Sequence, residues 1–410
     1  MKIVNGLVFI NNEGFKKGTL DIVGERIAGF GDSWNTEELG VRDSRNTGEL
    51  GFRDNGNTGG PGCSFFDTDS IDASGCYVVP GFIDIHFHGC VGQDFSDGSL
   101  AGLCDIAAYE LRNGITSICP AAMTLPEEKL SQIVSLGKLF RETHSDRKMA
   151  NFLGFHLEGP FISHEKRGAQ NSKYILPPDI VMFRRLLDAS HGYLKLTTIA
   201  PEMECAMEFI EAFHKEVSIS LGHTMADYHT AIEAFHRGAN HVTHLFNAMP
   251  SLHHRDSGLI GAAFDMAQEK PVYTELICDG IHVSDPVIRS AFALFSDDNI
   301  VLISDSMRAT GMPDGVYSLG QQEVSVKSRY ATLEDGTLAG SVTNLYECFC
   351  HAVEAGIPLE SALKAVTINP AKSIQVDDNY GSISAGKIAD LLILNPDLSI
   401  RDIIFHGVRI

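Results

Sequence analysis

From Tyr77 onward, short apolar runs alternate with segments of helical period. Eight runs stand out: YVVPGFIDIH, TSICPA, NFLGFHLE, LKLTTIAPE, VSISLGH, HVTHLF, VYTELICD and IVLISD. Between most of them lie amphipathic stretches such as LAGLCDIAAYELRNG, PEEKLSQIVSLGKLFRETH and ADYHTAIEAFHRG. Strand-length apolar runs separated by such stretches are the mark of βα units and a parallel sheet. The interval after HVTHLF is the thinnest, with only a short helical pattern in SGLIGAAFDMAQ. Eight units of this kind close most economically into a (β/α)8 TIM-type barrel, so an α/β fold of that class is expected. An open doubly wound sheet would carry a Gly-rich phosphate turn after its first strand, and GFIDIHFHGC is not one.

The two ends have a different texture. KIVNGLVFI and GTLDIVGERIAGFG read as strands, and GSISAGKIADLLILNPDLSIRDIIFHGVRI as two or three more. Together they predict a small β-sandwich domain from residues 1–78 and 371–410, with the barrel over 79–370. Between Gly31 and Cys63 lies a segment rich in Gly, Asn, Asp and Thr, with a tandem near-repeat, GVRDSRNTGEL followed by GFRDNGNTGGP. It has too few apolar residues to bury a face and reads as an exposed insertion without a catalytic role.

Composition narrows the partners. The formal net charge is −21 over 410 residues. Such a chain repels polyanions, which argues against nucleic acid, and an anionic substrate would need local positive charge. No run of about 18 apolar residues is available to span a membrane. The opening MKIVNGLVFINNEG alternates like a strand and shows no small-residue cleavage site. Nine scattered cysteines without a C-x-x-C pair fit reduced thiols and a cytoplasmic location.

The chemistry collects at the predicted strand ends. The first run ends in His86 and His88, the third in Glu158, the fifth in His223, the sixth in His244 and the eighth in Asp305. Catalytic groups of a TIM barrel project from the C-terminal ends of its strands, so closure would bring these distant residues to one mouth. His86 and His88 alternate along a strand, so both imidazoles can face the same ion. Four imidazoles with two carboxylates suit zinc or another borderline divalent ion. His156 could face the same way as Glu158 or make a structural hydrogen bond. Cys119, at the end of the second run, reads as a buried small residue. His229, His236 and His241 read as surface groups or supporting groups on or beside a helix. No G-x-S-x-G motif and no Walker loop is present.

These motifs resemble the amidohydrolase superfamily and, within it, the N-acetylglucosamine-6-phosphate deacetylase family. The resemblance runs from about Tyr77 to the C-terminus. It rests on PGFIDIHFHG, HLEGPFIS, SLGHT, THLFNAMP, CDGIHV, LISDSM, GTLAGS and GSISAGKIADLLILN. HLEGP, HLFNAMP and DGIHV are its most specific parts. The resemblance implies that Glu158, His223 and His244 are the principal metal ligands. His86 and His88 match a pair that some members use for a second metal. Asp305 matches the catalytic acid/base, and Asn247, Ala248, Arg255 and His282 match sugar-phosphate positions. Gln170 falls where some members carry a histidine beside the substrate carbonyl, a departure that leaves the carbonyl-polarising role open.

The implied reaction is hydrolysis of N-acetylglucosamine-6-phosphate to glucosamine-6-phosphate and acetate. It would use one or two divalent ions (zinc first, with iron or manganese as alternatives), hydroxide generated at the metal and Asp305 as proton carrier. The resemblance further implies a homodimer in which Arg255 reaches into the neighbouring subunit's site. The competing readings are a D-aminoacylase-like enzyme recruiting Cys119, a dihydroorotase-like enzyme, and a non-catalytic regulator that binds sugar phosphates. A dihydroorotase-like site would use a strand-four lysine, but Lys195 lies near the start of that strand.

Overall fold

Every one of the eight apolar runs contains a strand, although most strands are shorter than the run that announces them. The computed structural model describes residues 1–31, 70–144 and 148–410. The insertion predicted between Gly31 and Cys63 therefore falls almost wholly outside the described residues.

The eight strands are Phe82–Asp84, Ile115–Ile118 (continued at Ala121–Ala122), Asn151–Phe152 (continued at Phe155–Glu158), Leu194–Ile199, Ser218–Leu221, His241–Val242, Tyr273–Ile277 and Ile300–Ile303. All pair in parallel, in sequence order, as a three-stranded ladder and a seven-stranded ladder. The second and third runs contribute to both ladders. Backbone bonds carry the pairing across their breaks, with Cys119 N–H donating to Asp84 O at 2.8 Å and Leu153 N–H to Ile118 O at 2.9 Å. Asp305 N–H donates to His86 O at 3.0 Å and so ties the exit of the last strand to that of the first. The result is an α/β fold around a parallel half-barrel sheet, and its α/β class with parallel strands is what the alternation of runs and helical segments predicts.

Strands of the parallel sheet are buried throughout, as in IVLI at Ile300–Ile303. Sheets covered by helices on the outside need such unbroken apolar runs. A helix follows each of the first seven strands: Leu100–Arg112, Glu127–His144, Ile180–Ala189, Ala206–Phe213, Tyr228–His236, Gly258–Ala267 and Asp285–Phe295. Their inner faces build the main core, where Phe183 stands 4.7 Å from both Phe209 and Phe213, ring centre to ring centre. Each aromatic pair of this kind contributes about 0.5–1.5 kcal/mol beyond its buried area. Starts are capped locally, for example by Asp227 accepting from Thr230 N–H at 2.8 Å ahead of Tyr228–His236.

Both ends of the chain meet in one eight-stranded sheet. Its order is Val408–Arg409, Ile400–Phe405, Leu391–Leu394, Tyr77–Pro80, Lys2–Ile10, Gly14–Val23 and Arg26–Gly31, with Ser70–Asp72 also on Lys2–Ile10. The run YVVPGFIDIH is thus divided between two sheets. Tyr77–Pro80 pairs with Leu391–Leu394, whereas Phe82–Asp84 joins the parallel sheet. The change of sheet happens at Gly81, where an added Cβ would stand 2.1 Å from Thr116 Oγ1. A three-stranded antiparallel sheet, Gly315–Leu319, Gln322–Lys327 and Tyr330–Thr332, follows the last parallel strand and was not anticipated from the sequence. Among the described residues, no helix is long and apolar enough to cross a membrane.

Candidate active site

Five side chains from four strand ends gather around the carboxylate of Glu158, which stands at a fifth. Its Oε1 lies 3.0 Å from His223 Nε2, 3.1 Å from His244 Nε2 and 3.3 Å from His86 Nε2. Its Oε2 lies 3.2 Å from His88 Nε2. Asp305 Oδ1 stands 3.3 Å from His88 Nε2 and 3.8 Å from His86 Nε2. All six side chains are buried. The residues singled out as ligands and proton carrier from the sequence are therefore brought together.

The backbone turns sharply to deliver three of them. His223, His244 and Asp305 have φ of 47°, 27° and 48°, in the left-handed region. Side chains other than glycine there cost about 1–3 kcal/mol each and persist only when surrounding structure fixes them. Here the fixing bonds are visible. Ser163 N–H donates to His223 O at 2.8 Å, Leu245 N–H to Glu275 O at 2.8 Å, and Ser341 N–H to Asp305 O at 2.7 Å.

The hydrogen bonds decide which nitrogen each ring offers. His223 Nδ1 is 2.8 Å from Lys166 O, His88 Nδ1 is 3.2 Å from Ala121 O, and His86 Nδ1 is 2.7 Å from Glu275 Oε2. Carbonyl and carboxylate oxygens only accept, so Nδ1 donates in each case and the neutral ring turns its Nε2 lone pair toward Glu158. His223 and His244 bring their Nε2 atoms within 3.0 Å of each other. Buried His86 Nε2 and Asp305 Oδ1 have no hydrogen-bond partner among the described residues. Lone pairs facing one another around a carboxylate need a cation or protons between them. Ligands roughly 2.0–2.1 Å from a tetrahedral ion stand about 3.3–3.4 Å apart, close to the separations found here. The donor set fits a divalent cation. His86, His88 and Glu158 form one candidate group, and Glu158, His223 and His244 a second that shares the same carboxylate.

Protons adopt the complementary arrangement when no cation is present. Burial raises the Glu158 carboxyl, but the charge of His86 and the bond from His223 outweigh it and hold the group well below the usual range. Burial works against a charged His88, yet the carboxylates of Asp305 and Glu158 close beside it lift it to about 10. Asp305 is raised by burial and lowered more by His88 and His86, so its carboxyl lies below the ordinary range.

The cluster forms part of the wall of a cavity of about 440 Å³. Gln170, Asn247, Ala248 and His282 also line it, as the sequence motifs imply. Gln170 links two elements: its Nε2 donates to Glu158 Oε2 at 2.6 Å, and its Oε1 accepts from Thr124 N–H at 2.7 Å. His282 donates through Nδ1 to Asp279 Oδ2 at 2.8 Å. Burial lowers His282, but that carboxylate outweighs it and keeps the imidazole more basic than usual. Arg255 differs. It sits on an exposed loop and is not among the residues lining this cavity.

Other expectations resolve as follows. His156 does face inward, and its Nε2 is 2.8 Å from Thr198 Oγ1. His241 is not beside a helix but in the strand His241–Val242, buried and 3.1 Å from Ser220 Oγ. His229 and His236 are exposed on the helix Tyr228–His236. Cys119 is buried in an apolar cluster with Ile83 and Ile85, where burial pushes its thiol up and away from thiolate chemistry. Lys195 is the second residue of Leu194–Ile199, at the strand end away from the mouth.

Sequence reasoning missed three residues. Glu275 holds His86 from the middle of a strand, and its only trace is an acid in the interior of the apolar run VYTELICD, ahead of the Asp279 that ends it. Lys166 and Arg167 line the cavity, and their trace is the pair of cations just ahead of Gly168 in KRGAQ.

Residues 77–409 match the Amidohydrolase family. The chain belongs to the amidohydrolase family. This amidohydrolase is 38% identical to the N-acetylglucosamine-6-phosphate deacetylase of Bacillus subtilis (strain 168), over 80% of the chain and 83% of that protein. It is 36% identical to the enzyme of the same name from Caenorhabditis elegans, over 83% of the chain and 84% of that protein. Among solved structures, it resembles the N-acetylglucosamine-6-phosphate deacetylase of Pasteurella multocida with a TM-score of 0.84 and 28% identity, covering 100% of this chain and 99% of the other. A Mycobacterium smegmatis variant solved in complex with N-acetyl-D-glucosamine-6-phosphate gives a TM-score of 0.84 and 29% identity, over 100% and 98% of the two chains.

Proposed function

We propose that this amidohydrolase removes the acetyl group of N-acetylglucosamine-6-phosphate by hydrolysing its amide bond, giving acetate and glucosamine-6-phosphate. The observation that carries the reading is the sharing of Glu158 by four imidazoles, with Asp305 3.3 Å from His88, in the wall of a cavity of about 440 Å³. The similarity to relatives named for this activity supplies the substrate.

Glu158, His223 and His244 would hold one divalent cation, and His86 and His88 would hold a second together with Glu158. Zinc suits the imidazole–carboxylate set best, with iron or manganese as alternatives. When bound, such a cation acidifies water toward neutral pH and polarises an amide carbonyl. Asp305 does the proton work. Its carboxylate is ionised at neutral pH, accepts the proton of the attacking water and delivers it to the amide nitrogen as the carbon–nitrogen bond breaks. Gln170 steadies Glu158, and the basic His282 favours an anionic substrate group, as do Lys166 and Arg167. Asn247 and Ala248 line the same space and would orient the sugar.

The wider reading has three parts. The two parallel ladders form one (β/α)8 barrel, supported by the Asp305-to-His86 backbone bond. The terminal sheet is a separate small β-domain of sandwich type, from residues 1–78 and 371–410, with its strand Tyr77–Pro80 running two residues beyond that bound. The enzyme works in the cytoplasm as a homodimer, without nucleic acid or membrane partners.

The deciding experiment is acetate release from N-acetylglucosamine-6-phosphate by the purified protein. Release should match amine formation, stop on treatment with a chelator and return with a divalent metal. Metal-replete protein that releases no acetate from this substrate would overturn the reading.

A further inference from the structure

Beneath the candidate metal centre lies a polar layer that the reaction does not use directly. His156 is edge-on to His86, ring centres 4.5 Å apart, and its Nε2 is engaged by Thr198 Oγ1. Thr198 Oγ1 is 2.7 Å from Thr243 Oγ1, which is 2.5 Å from Ser220 Oγ, which in turn meets His241 Nδ1 at 3.1 Å. These groups are all buried, and the one acid among them is Glu275.

Glu275 Oε2 accepts two hydrogen bonds: from His86 Nδ1 at 2.7 Å and from the backbone N–H of His244 at 3.1 Å. It therefore touches one residue from each of the two candidate groups that share Glu158, and with His86 and His156 it belongs to a third set of possible ligands. Without this acceptor, His86 could carry its hydrogen on Nε2 and turn its lone pair away from Glu158. Of the neighbouring rings, His156 is held through Nε2 by Thr198 and His241 through Nδ1 by Ser220, and neither is hydrogen-bonded to His86 Nδ1, whose partner is Glu275. Histidine ligands whose second nitrogen donates to a carboxylate are fixed in orientation and made more basic, and loss of such partners typically weakens metal binding about 10–100-fold.

We infer that Glu275 is a positioning residue that commits His86 to presenting Nε2, and thereby sets how tightly the His86–His88 half of the centre holds its cation. The inference rests on the reading of His86 and His88 as ligands. It assigns Glu275 a graded effect on one of two cations and little effect on the other.

The test is a zinc titration against a buffered chelator, with elemental analysis of retained metal, for the wild type, His86→Ala, Glu275→Ala, Glu275→Asp and Glu275→Gln. The wild type should retain two equivalents and His86→Ala one. Glu275→Ala should keep the tighter equivalent and bind the second about 10–100-fold more weakly. Glu275→Asp withdraws the carboxylate by one methylene and should weaken the second equivalent in the same way; it carries the test if Glu275→Ala does not fold. Glu275→Gln, whose amide oxygen can accept the same two N–H groups, should stay closest to the wild type. The inference is overturned if His86→Ala loses an equivalent while folded Glu275→Ala or Glu275→Asp holds both at wild-type affinity. A wild type that binds one equivalent, indifferent to His86→Ala, would instead remove the ligand reading beneath it, and the inference with it.

Discussion

Asp305 places its Oδ1 3.3 Å from Nε2 of His88. The contact joins the last parallel strand to the first and puts the one unshared carboxylate of the cluster beside the cavity. Its removal as a base is the cleanest test of the reaction. Asn keeps the shape but accepts no proton, so Asp305→Asn should lower turnover about 10²–10⁴-fold. Metal content should change far less, because the four imidazoles and Glu158 remain. Near-wild-type turnover in this variant would assign the proton to another group.

The number of cations separates the two candidate ligand groups. His86→Ala/His88→Ala should reduce tightly held metal from two equivalents to one, measured by elemental analysis after dialysis. A single equivalent in the wild type, unchanged in the double variant, would leave Glu158, His223 and His244 as the whole site.

Protons and cations compete for the same lone pairs, and the sign of that competition is fixed by His88. Its folded-state value, lifted to about 10, exceeds the ordinary 6.5. Protonated His88 therefore contributes stability to metal-free protein that is complete below about pH 6.5 and is lost as pH rises toward 10. The melting temperature of chelator-treated protein should fall over that window. Metal uptake near pH 8 should release protons, seen by calorimetry in buffers of different ionisation enthalpy. Uptake without proton release would show that the imidazoles were already neutral.

Much of this site was legible because its residues fall at strand ends, where alternation fixes which side chains share a face. His86 with His88, and Glu158 with His156, follow from a period of two. Glu275 was not legible in the same way: it sits mid-strand, where an acid has no periodic signature and gains meaning only from His86 opposite. The split of YVVPGFIDIH between two sheets was hidden because Pro80 and Phe82 are equally apolar, and only the close approach of Gly81 to Thr116 separates them. The sheet from Gly315 to Thr332 does alternate, as in QEVSVK with its exposed and buried positions, but it lies outside the βα rhythm.

The structure ties the amide of Gln170 to Glu158 Oε2 at 2.6 Å and to Thr124 N–H at 2.7 Å. Gln170→Leu keeps the volume and loses both bonds. Metal affinity should fall about 10–100-fold, the usual scale for loss of a partner behind a ligand. A variant with unchanged affinity but reduced turnover would instead place Gln170 on the substrate.

Arg255 poses the sharpest question about assembly. It is exposed and does not line the cavity of its own chain, whereas Lys166, Arg167 and His282 do. If it anchors the substrate's phosphate, it does so in the site of a second subunit, through the paired hydrogen bonds that a guanidinium makes to phosphate oxygens. Arg255→Ala should then lose most of the preference for N-acetylglucosamine-6-phosphate over N-acetylglucosamine, with metal content intact. Arg255→Ala and Asp305→Asn are each expected to be poor catalysts alone. Mixed by refolding or co-expression, they should regain activity, because a mixed dimer contains one site with Asp305 from one chain and Arg255 from the other. Activity in the mixture that never exceeds the sum of the separate variants would confine the phosphate anchor to the chain's own Lys166, Arg167 and His282, whose substitutions would be measured next for the same loss of preference.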